Sequence, residues 1–128
     1  MEYLVDTQAL IWWDAQPDRI GPKAFTIFSN QNNILYASHA SIWEMAIKMR
    51  LGKLKLPMDL NRWVEEYIRD SGFILLPISL DAILHTQGLA MHHGDPFDRI
   101  LISQAFVQGW PVLGSDSQWD AYGIERIW

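Results

Sequence analysis

The sequence predicts a single α/β/α domain built on a central, mostly parallel sheet of four to five strands. Three observations lead to that class. The chain has 128 residues, enough for one domain with a real core and too few for two comfortable ones. Short apolar runs recur along it, and helical stretches separate most of them. Strands that alternate with helices imply a parallel sheet covered on both faces. No internal repeat, low-complexity segment or interdomain linker interrupts residues 1–128.

Glu2-Tyr3-Leu4-Val5 reads as a short buried first strand. Asp6-Thr7 stops it, and Gln8 to Trp13 has helix character with Thr7 as N-cap. Pro17 and Gly21-Pro22 punctuate the next stretch, and Pro22 suits the first turn of a helix running to about Asn30. Asn32-Asn33 is a turn signal before a second strand, Ile34 to Ala37. In the helix that follows, Ser41 and Glu44 have capping-box spacing, with Ser38 as a competing start. Ile42, Met45, Ala46 and Met49 keep its apolar stripe, and Gly52 ends it.

Residues 53–57 form a loop. A further helix is expected from about Asp59 to Ser71, stopped by Gly72, and then a third strand from Phe73 to Leu76. Ser79 or Leu80 to about Met91 is helical, and His92-His93-Gly94 is a loop. Asp95-Pro96 starts a strong helix, with Asp as N-cap and Pro at its first position. Ile100, Leu101, Ala105 and Phe106 form its buried side, and Gly109 ends it. Pro111 to Leu113 is a fourth strand, closed by Gly114-Ser115-Asp116. A short helix from Ser117 to Tyr122 and a last strand from Ile124 to Ile127 complete the chain.

Composition narrows the function classes. No segment approaches the ~20 apolar residues of a membrane span. The N-terminus lacks the basic region and long apolar run of a signal peptide. With no cysteine there is no disulfide framework and no thiolate metal site. These features fit a soluble cytoplasmic protein. The net charge of −5 argues against a general nucleic-acid binder, because phosphate neutralisation drives such binding. Locally the balance differs: Lys48, Arg50, Lys53 and Lys55 are four of the ten basic residues. They make either a basic stripe or a solvated helix end. Lys48 also stands four residues after Glu44, a favourable helix pair worth ~0.3–0.5 kcal/mol.

Four acids then become informative. In an open parallel sheet, ligands bind beyond the carboxyl ends of the strands. Asp6 follows the first strand and Asp116 the fourth. The helix from Pro96 to Gln108 runs back antiparallel to the fourth strand, so Asp98 in its first turn arrives beside Asp116. Glu44 lies near the start of a helix that leaves the second strand at the same edge. At ~5 Å and an effective dielectric near 20, each ionised pair among them costs about 3 kcal/mol. A hard divalent cation would relieve that repulsion, which points to metal-assisted cleavage of a phosphodiester.

Each acid has a plainer use. Asp6 could cap the first helix, Glu44 could answer Ser41, Asp98 could serve the helix dipole, and Asp116 could start a turn. Four such uses converging on one edge are less probable than any one of them. Asp95 is assigned mainly to capping. His92 and His93 are possible metal ligands but read more simply as a surface pair, and His39 and His85 carry no spacing signal.

Four segments in order carry a family resemblance. They are Leu4 to Trp13, Ser41 to Lys48, Asp95 to Ala105 (Asp-Pro-Phe-Asp-Arg-Ile-Leu-Ile-Ser-Gln-Ala), and Val112 to Asp116. Together they resemble the PIN-domain family, and within it the VapC-like toxins of toxin–antitoxin pairs. The resemblance implies an acidic pocket of Asp6, Glu44, Asp98 and Asp116, with Mg²⁺ or Mn²⁺ as cofactor. It implies endoribonuclease activity on RNA, a cognate antitoxin whose tail covers the pocket, a homodimer and a toxin–antitoxin hetero-oligomer. Relatives often carry Thr where this chain has Gly114, so a hydroxyl is missing there, for which Ser115 is a candidate substitute.

On this reading Asp6, Asp98 and Asp116 hold the metal, Glu44 completes the pocket, and Lys48, Arg50 and Ser115 are candidate substrate contacts. The cation would activate water and neutralise phosphate charge. There is no Walker-type phosphate loop, no second Asp after Asp6-Thr7 as dehalogenase-like phosphatases need, no acid pair of a receiver domain, and no nucleophile elbow. The alternative from another class is a catalytically silent module that binds a protein or RNA. Its groove would use the Leu10-Ile11-Trp12-Trp13 helix and the helices of Trp43 and Trp63.

Overall fold

The computed structural model describes residues 1–128. Its strands are β1 (Glu2–Val5), β2 (Ile34–Ser38), β3 (Ile74–Leu76), β4 (Val112–Leu113) and β5 (Arg126–Ile127). The sheet order is β3-β2-β1-β4-β5, and every neighbouring pair is parallel. The chain first builds outward from β1 through β2 to β3. It then crosses back to place β4 on the other side of β1. That reversal opens a crevice between the carboxyl ends of β1 and β4, the place where such sheets bind ligands.

Side-chain alternation along β1 assigns two cores. Tyr3 and Val5 face one side, with Leu10, Ala24, Phe28, Trp63 and Ile68. Leu4 faces the other, with Leu101, Ile102, Ala105, Val112 and Trp119. The first side is covered by α1 (Thr7–Ala15), α2 (Pro22–Ser29) and α4 (Leu60–Trp63); the second is covered by α6 (Pro96–Gln108). Helix α3 (His39–Arg50) straddles the two, giving Ala40 to one core and Met45 to the other. Helix α5 (Leu80–Thr86) packs on α6. No helix is long and apolar enough to cross a membrane.

Several expected boundaries move, each for a local reason. Asp6, not Thr7, is the N-cap of α1: its Oδ1 accepts from the Ala9 N–H at 2.7 Å. Thr7 is instead the first helical residue, and its hydroxyl donates to Ser41 Oγ at 2.8 Å, joining α1 to α3. Ser38 prevails over Ser41 as the start of α3, because its Oγ accepts from the Ala40 N–H. Glu44 is therefore not a capping-box partner. The helix expected through Ser71 is α-helical only to Trp63 and continues as a π-helical segment, Val64–Arg69. Residues five apart share a face of a π turn, which lets both Trp63 and Ile68 reach the core.

Helix α5 ends at Thr86, not near Met91. The Arg99 guanidinium takes the carbonyls of Thr86, Leu89 and Ala90, which further helical turns would have used. The third, fourth and fifth strands are one or two residues shorter than expected. Helix α6 matches its expected limits: Asp95 Oδ1 accepts from the Phe97 N–H, and Gly109 at φ 71° closes the far end in the left-handed conformation.

Candidate active site

Asp6, Glu44, Asp98 and Asp116 line one cleft of about 200 Å³ at the carboxyl edge of the sheet. Each arrives on a different element. Asp6 follows β1, Glu44 projects from α3, Asp98 stands in the first turn of α6, and Asp116 follows β4. Lys48 and Ser115 line the same cleft. Arg50, at the exposed end of α3, does not.

The scaffold under these carboxylates is polar and buried. Ser38 and Gln104 are almost wholly buried, and the Ser38 hydroxyl donates to Gln104 Oε1 at 2.6 Å. The Gln104 amide in turn donates to the Pro77 carbonyl. These bonds tie the end of β2 and the start of α3 to α6, while Thr7 to Ser41 ties α1 to α3. The three elements bearing Asp6, Glu44 and Asp98 are thus joined below the cleft by hydrogen bonds between short or branched polar side chains, which leave little room for slippage.

Charge in the cleft is under-compensated. Asp6 is buried, and desolvation pushes its carboxyl up to about 7. The Ala9 N–H opposes that rise, and repulsion from Asp98, Glu44 and Asp116 adds to it. Asp98 rises to about 6, first through burial and then through the neighbouring Asp95, with His93 acting against the rise. Asp116 goes the other way. Burial alone would raise it, but hydrogen bonds from His93 and the Gln118 N–H outweigh that and hold it below the usual carboxylate value. Glu44 has a single close partner of opposite charge, Lys48 Nζ at 2.7 Å.

His93 is the residue that reading the sequence undervalued. It is no ordinary surface histidine. Its Nε2 lies 3.0 Å from Asp116 Oδ2 and 3.4 Å from Asp98 Oδ2. The loop that carries it is held by Arg99, which donates to the carbonyls of Thr86, Leu89, Ala90 and His93. The available signal was positional: a residue two places before the N-cap of α6 must lie close to that helix's first turn. His93 does not line the cleft itself but reaches two of its carboxylates from the edge, whereas His92 packs edge-on against Tyr122 and His85 Nδ1 pairs with Ser103 Oγ.

The donor set suits a hard divalent cation. It consists of carboxylate oxygens with one imidazole nitrogen and no thiolate, a mixture compatible with Mg²⁺ or Mn²⁺. Two carboxyl groups raised by burial and mutual repulsion are what such an ion would restore to the charged form.

A family model for the PIN domain matches residues 3–125. The chain belongs to the PIN-domain family. The chain is 24% identical to ribonuclease VapC22 of Mycobacterium tuberculosis over 116 residues, spanning 88% of this chain and 85% of that protein. Its fold is similar to VapBC2 from Rickettsia felis, solved bound to a DNA fragment from their promoter, with a TM-score of 0.73 at 12% identity. That match covers 99% of this chain and 98% of the other. FitAcB from Neisseria gonorrhoeae aligns with a TM-score of 0.61 at 20% identity, covering 99% and 96%. The expected PIN-like architecture is therefore correct, and the sheet is parallel throughout.

Proposed function

We propose that this PIN domain is a divalent-metal-dependent endoribonuclease and the toxin of a toxin–antitoxin pair. The observation that carries the reading is the gathering of four carboxylates from four elements in one cleft at the switch point of the sheet. The similarity to a protein named ribonuclease VapC22 supports RNA as substrate. The similarity to VapBC2 and FitAcB supports a cognate antitoxin as partner within a hetero-oligomer, and a toxin homodimer inside it is part of the proposal. The cytoplasm is the compartment where these partners meet.

Asp6, Asp98 and Asp116 would hold Mg²⁺ or Mn²⁺ in this proposal. When bound there, the cation would supply charge neutralisation at a phosphate and lower the pKa of a water molecule. Glu44, buried and oriented by Lys48, positions the attacking water and accepts its proton. Lys48, on the cleft wall, offsets the phosphate charge that an acidic protein otherwise repels. Ser115 donates its hydroxyl toward a phosphate oxygen, and Arg50 extends the positive track beyond the cleft. A silent binding module has less support, because it gains nothing from keeping these carboxylates in mutual repulsion.

Purified, antitoxin-free protein incubated with total cellular RNA tests the reading. Discrete fragments are expected with Mg²⁺ or Mn²⁺, and none with EDTA or with Asp98→Asn. Folded wild-type protein that leaves every RNA species intact under all conditions would overturn the nuclease assignment.

A further inference from the structure

We infer that His93 is a metal ligand of this cleft, completing a His93–Asp98–Asp116 set and favouring transition-metal ions over Mg²⁺. The inference rests on the proposed metal site and adds a nitrogen donor that the four-carboxylate description lacks.

The geometry is the first argument. One donor atom from each of His93, Asp98 and Asp116 falls within 4.8 Å of the other two. His93 Nε2 is 3.0 Å from one carboxylate oxygen and 3.4 Å from the other. Adjacent ligands of an octahedral ion with bonds of ~2.1 Å lie about 3 Å apart. His93 Nε2 therefore stands from each carboxylate at about the separation that neighbouring ligands of one ion adopt.

The second argument is independent of the acids. A loop histidine that merely swings to the nearest carboxylate needs no support. His93 has support: its own carbonyl and those of Thr86, Leu89 and Ala90 all accept from the Arg99 guanidinium. Arg99 directly follows Asp98, so the residue that fixes the loop and the residue that shares the ligand set are locked in one helical turn. Arg99 is thus a positioning residue for His93. The planar fork of arginine, with its five donors, suits this multiple capture where lysine does not.

The chemical consequence follows from ligand type. Mg²⁺ prefers oxygen and keeps its waters, whereas imidazole suits first-row transition ions. A purely carboxylate cleft suits Mg²⁺ and Mn²⁺ alike, so His93 in the coordination sphere should show as added affinity for ions that imidazole suits, such as Zn²⁺ or Ni²⁺. Ni²⁺, which imidazole suits, is expected to bind more tightly than Mg²⁺, and that preference should shrink in His93→Gln, which replaces nitrogen by an amide oxygen.

Pulsed electron paramagnetic resonance of Mn²⁺ bound to untagged protein reads the ligand directly. Modulation from a coordinated imidazole ¹⁴N is expected in the wild type and in His92→Gln. It should vanish in His93→Gln, while Mn²⁺ still binds and Asp98→Asn weakens that binding. Bound Mn²⁺ with no imidazole modulation in the wild type would overturn the inference and leave the carboxylate site standing. So would modulation that survives His93→Gln. Absence of any Mn²⁺ binding to folded wild type would overturn both this inference and the metal-dependent reading beneath it.

Discussion

Gly114 and the Asp6 carboxylate are packed so closely that a methyl group added at Gly114 would meet Asp6 Oδ2 at 2.5 Å. Real Cβ atoms essentially never show that distance, so either the Asp6 side chain or the Gly114 backbone must shift in any variant that carries a side chain there. Its Oδ1 is already committed to the Ala9 N–H. Gly114→Thr, the residue that resemblance to relatives suggests, should therefore cost the cap, ~1 kcal/mol. A melting temperature lower by a few degrees is expected in the metal-free protein. An unchanged melting temperature with the Ala9 amide still protected from exchange would show that Asp6 accommodates the threonine.

Asp6→Asn separates the two uses of that residue. Asparagine still accepts from the Ala9 N–H, so the helix cap survives. The charge is lost, and with it the repulsion from Asp98, Glu44 and Asp116. At pH 8 the metal-free variant should melt higher than wild type, lose its stabilisation by Mn²⁺, and cleave RNA ~100-fold or more slowly. A variant that matches wild type in all three measurements would remove Asp6 from the site.

The metal-free protein should become less stable as pH rises from about 4 to 7. Asp6, lifted by burial to about 7 from an ordinary 3.8, binds a proton in the folded state that the unfolded chain has already released. Asp98, lifted to about 6, acts the same way. His93, raised chiefly by its hydrogen bond with Asp116, contributes stability that is lost as pH climbs through its folded value. Asp116 is held low and opposes this trend only near and below the ordinary carboxylate value. Each unit by which a pKa differs between the folded and unfolded states is worth ~1.4 kcal/mol at most. Thermal melts in EDTA should fall between pH 5 and pH 8, and Mn²⁺ should narrow the difference. A flat or rising profile in EDTA would contradict the buried, repelling carboxyls.

Arg99→Lys should loosen the loop without unfolding the sheet. Lysine cannot fork to four carbonyls, and the loss is expected to cost ~1–3 kcal/mol. Hydrogen exchange should accelerate over residues 86–93 and stay unchanged in β1 and β4. Unchanged exchange over residues 86–93 in the variant would mean that Arg99 does not hold this loop.

Much of the architecture was legible because local chemistry and tertiary packing agreed. Asp95-Pro96 and Gly109 mark both ends of α6 by means that need no neighbours, a side-chain cap, a fixed φ and a left-handed glycine. Boundaries failed where a distant residue intervened. The apparent Ser41–Glu44 box yielded to Ser38, since β2 leaves that residue extended and ready to cap. Helix α5 stops at Thr86, whose carbonyl Arg99, thirteen residues further on, captures. The π-helical segment reflects the need of Trp63 and Ile68 to face one core, a demand invisible within the segment itself.

The sequence by itself determined the parallel order of elements and the edge at which Asp6, Glu44, Asp98 and Asp116 gather, because strand direction and helix return follow from alternation along the chain. What only the tertiary structure decided is finer and shorter-ranged. It set His93 between Asp98 and Asp116, pressed Gly114 against Asp6, and left Arg50 outside the cleft. The physical reason is one of scale. Periodicity and caps act over a helical turn and specify where an element lies. Ligand geometry depends on contacts of about 3 Å between residues far apart in sequence, and these exist only once the two cores and the Ser38–Gln104 and Thr7–Ser41 bonds have fixed the elements against one another.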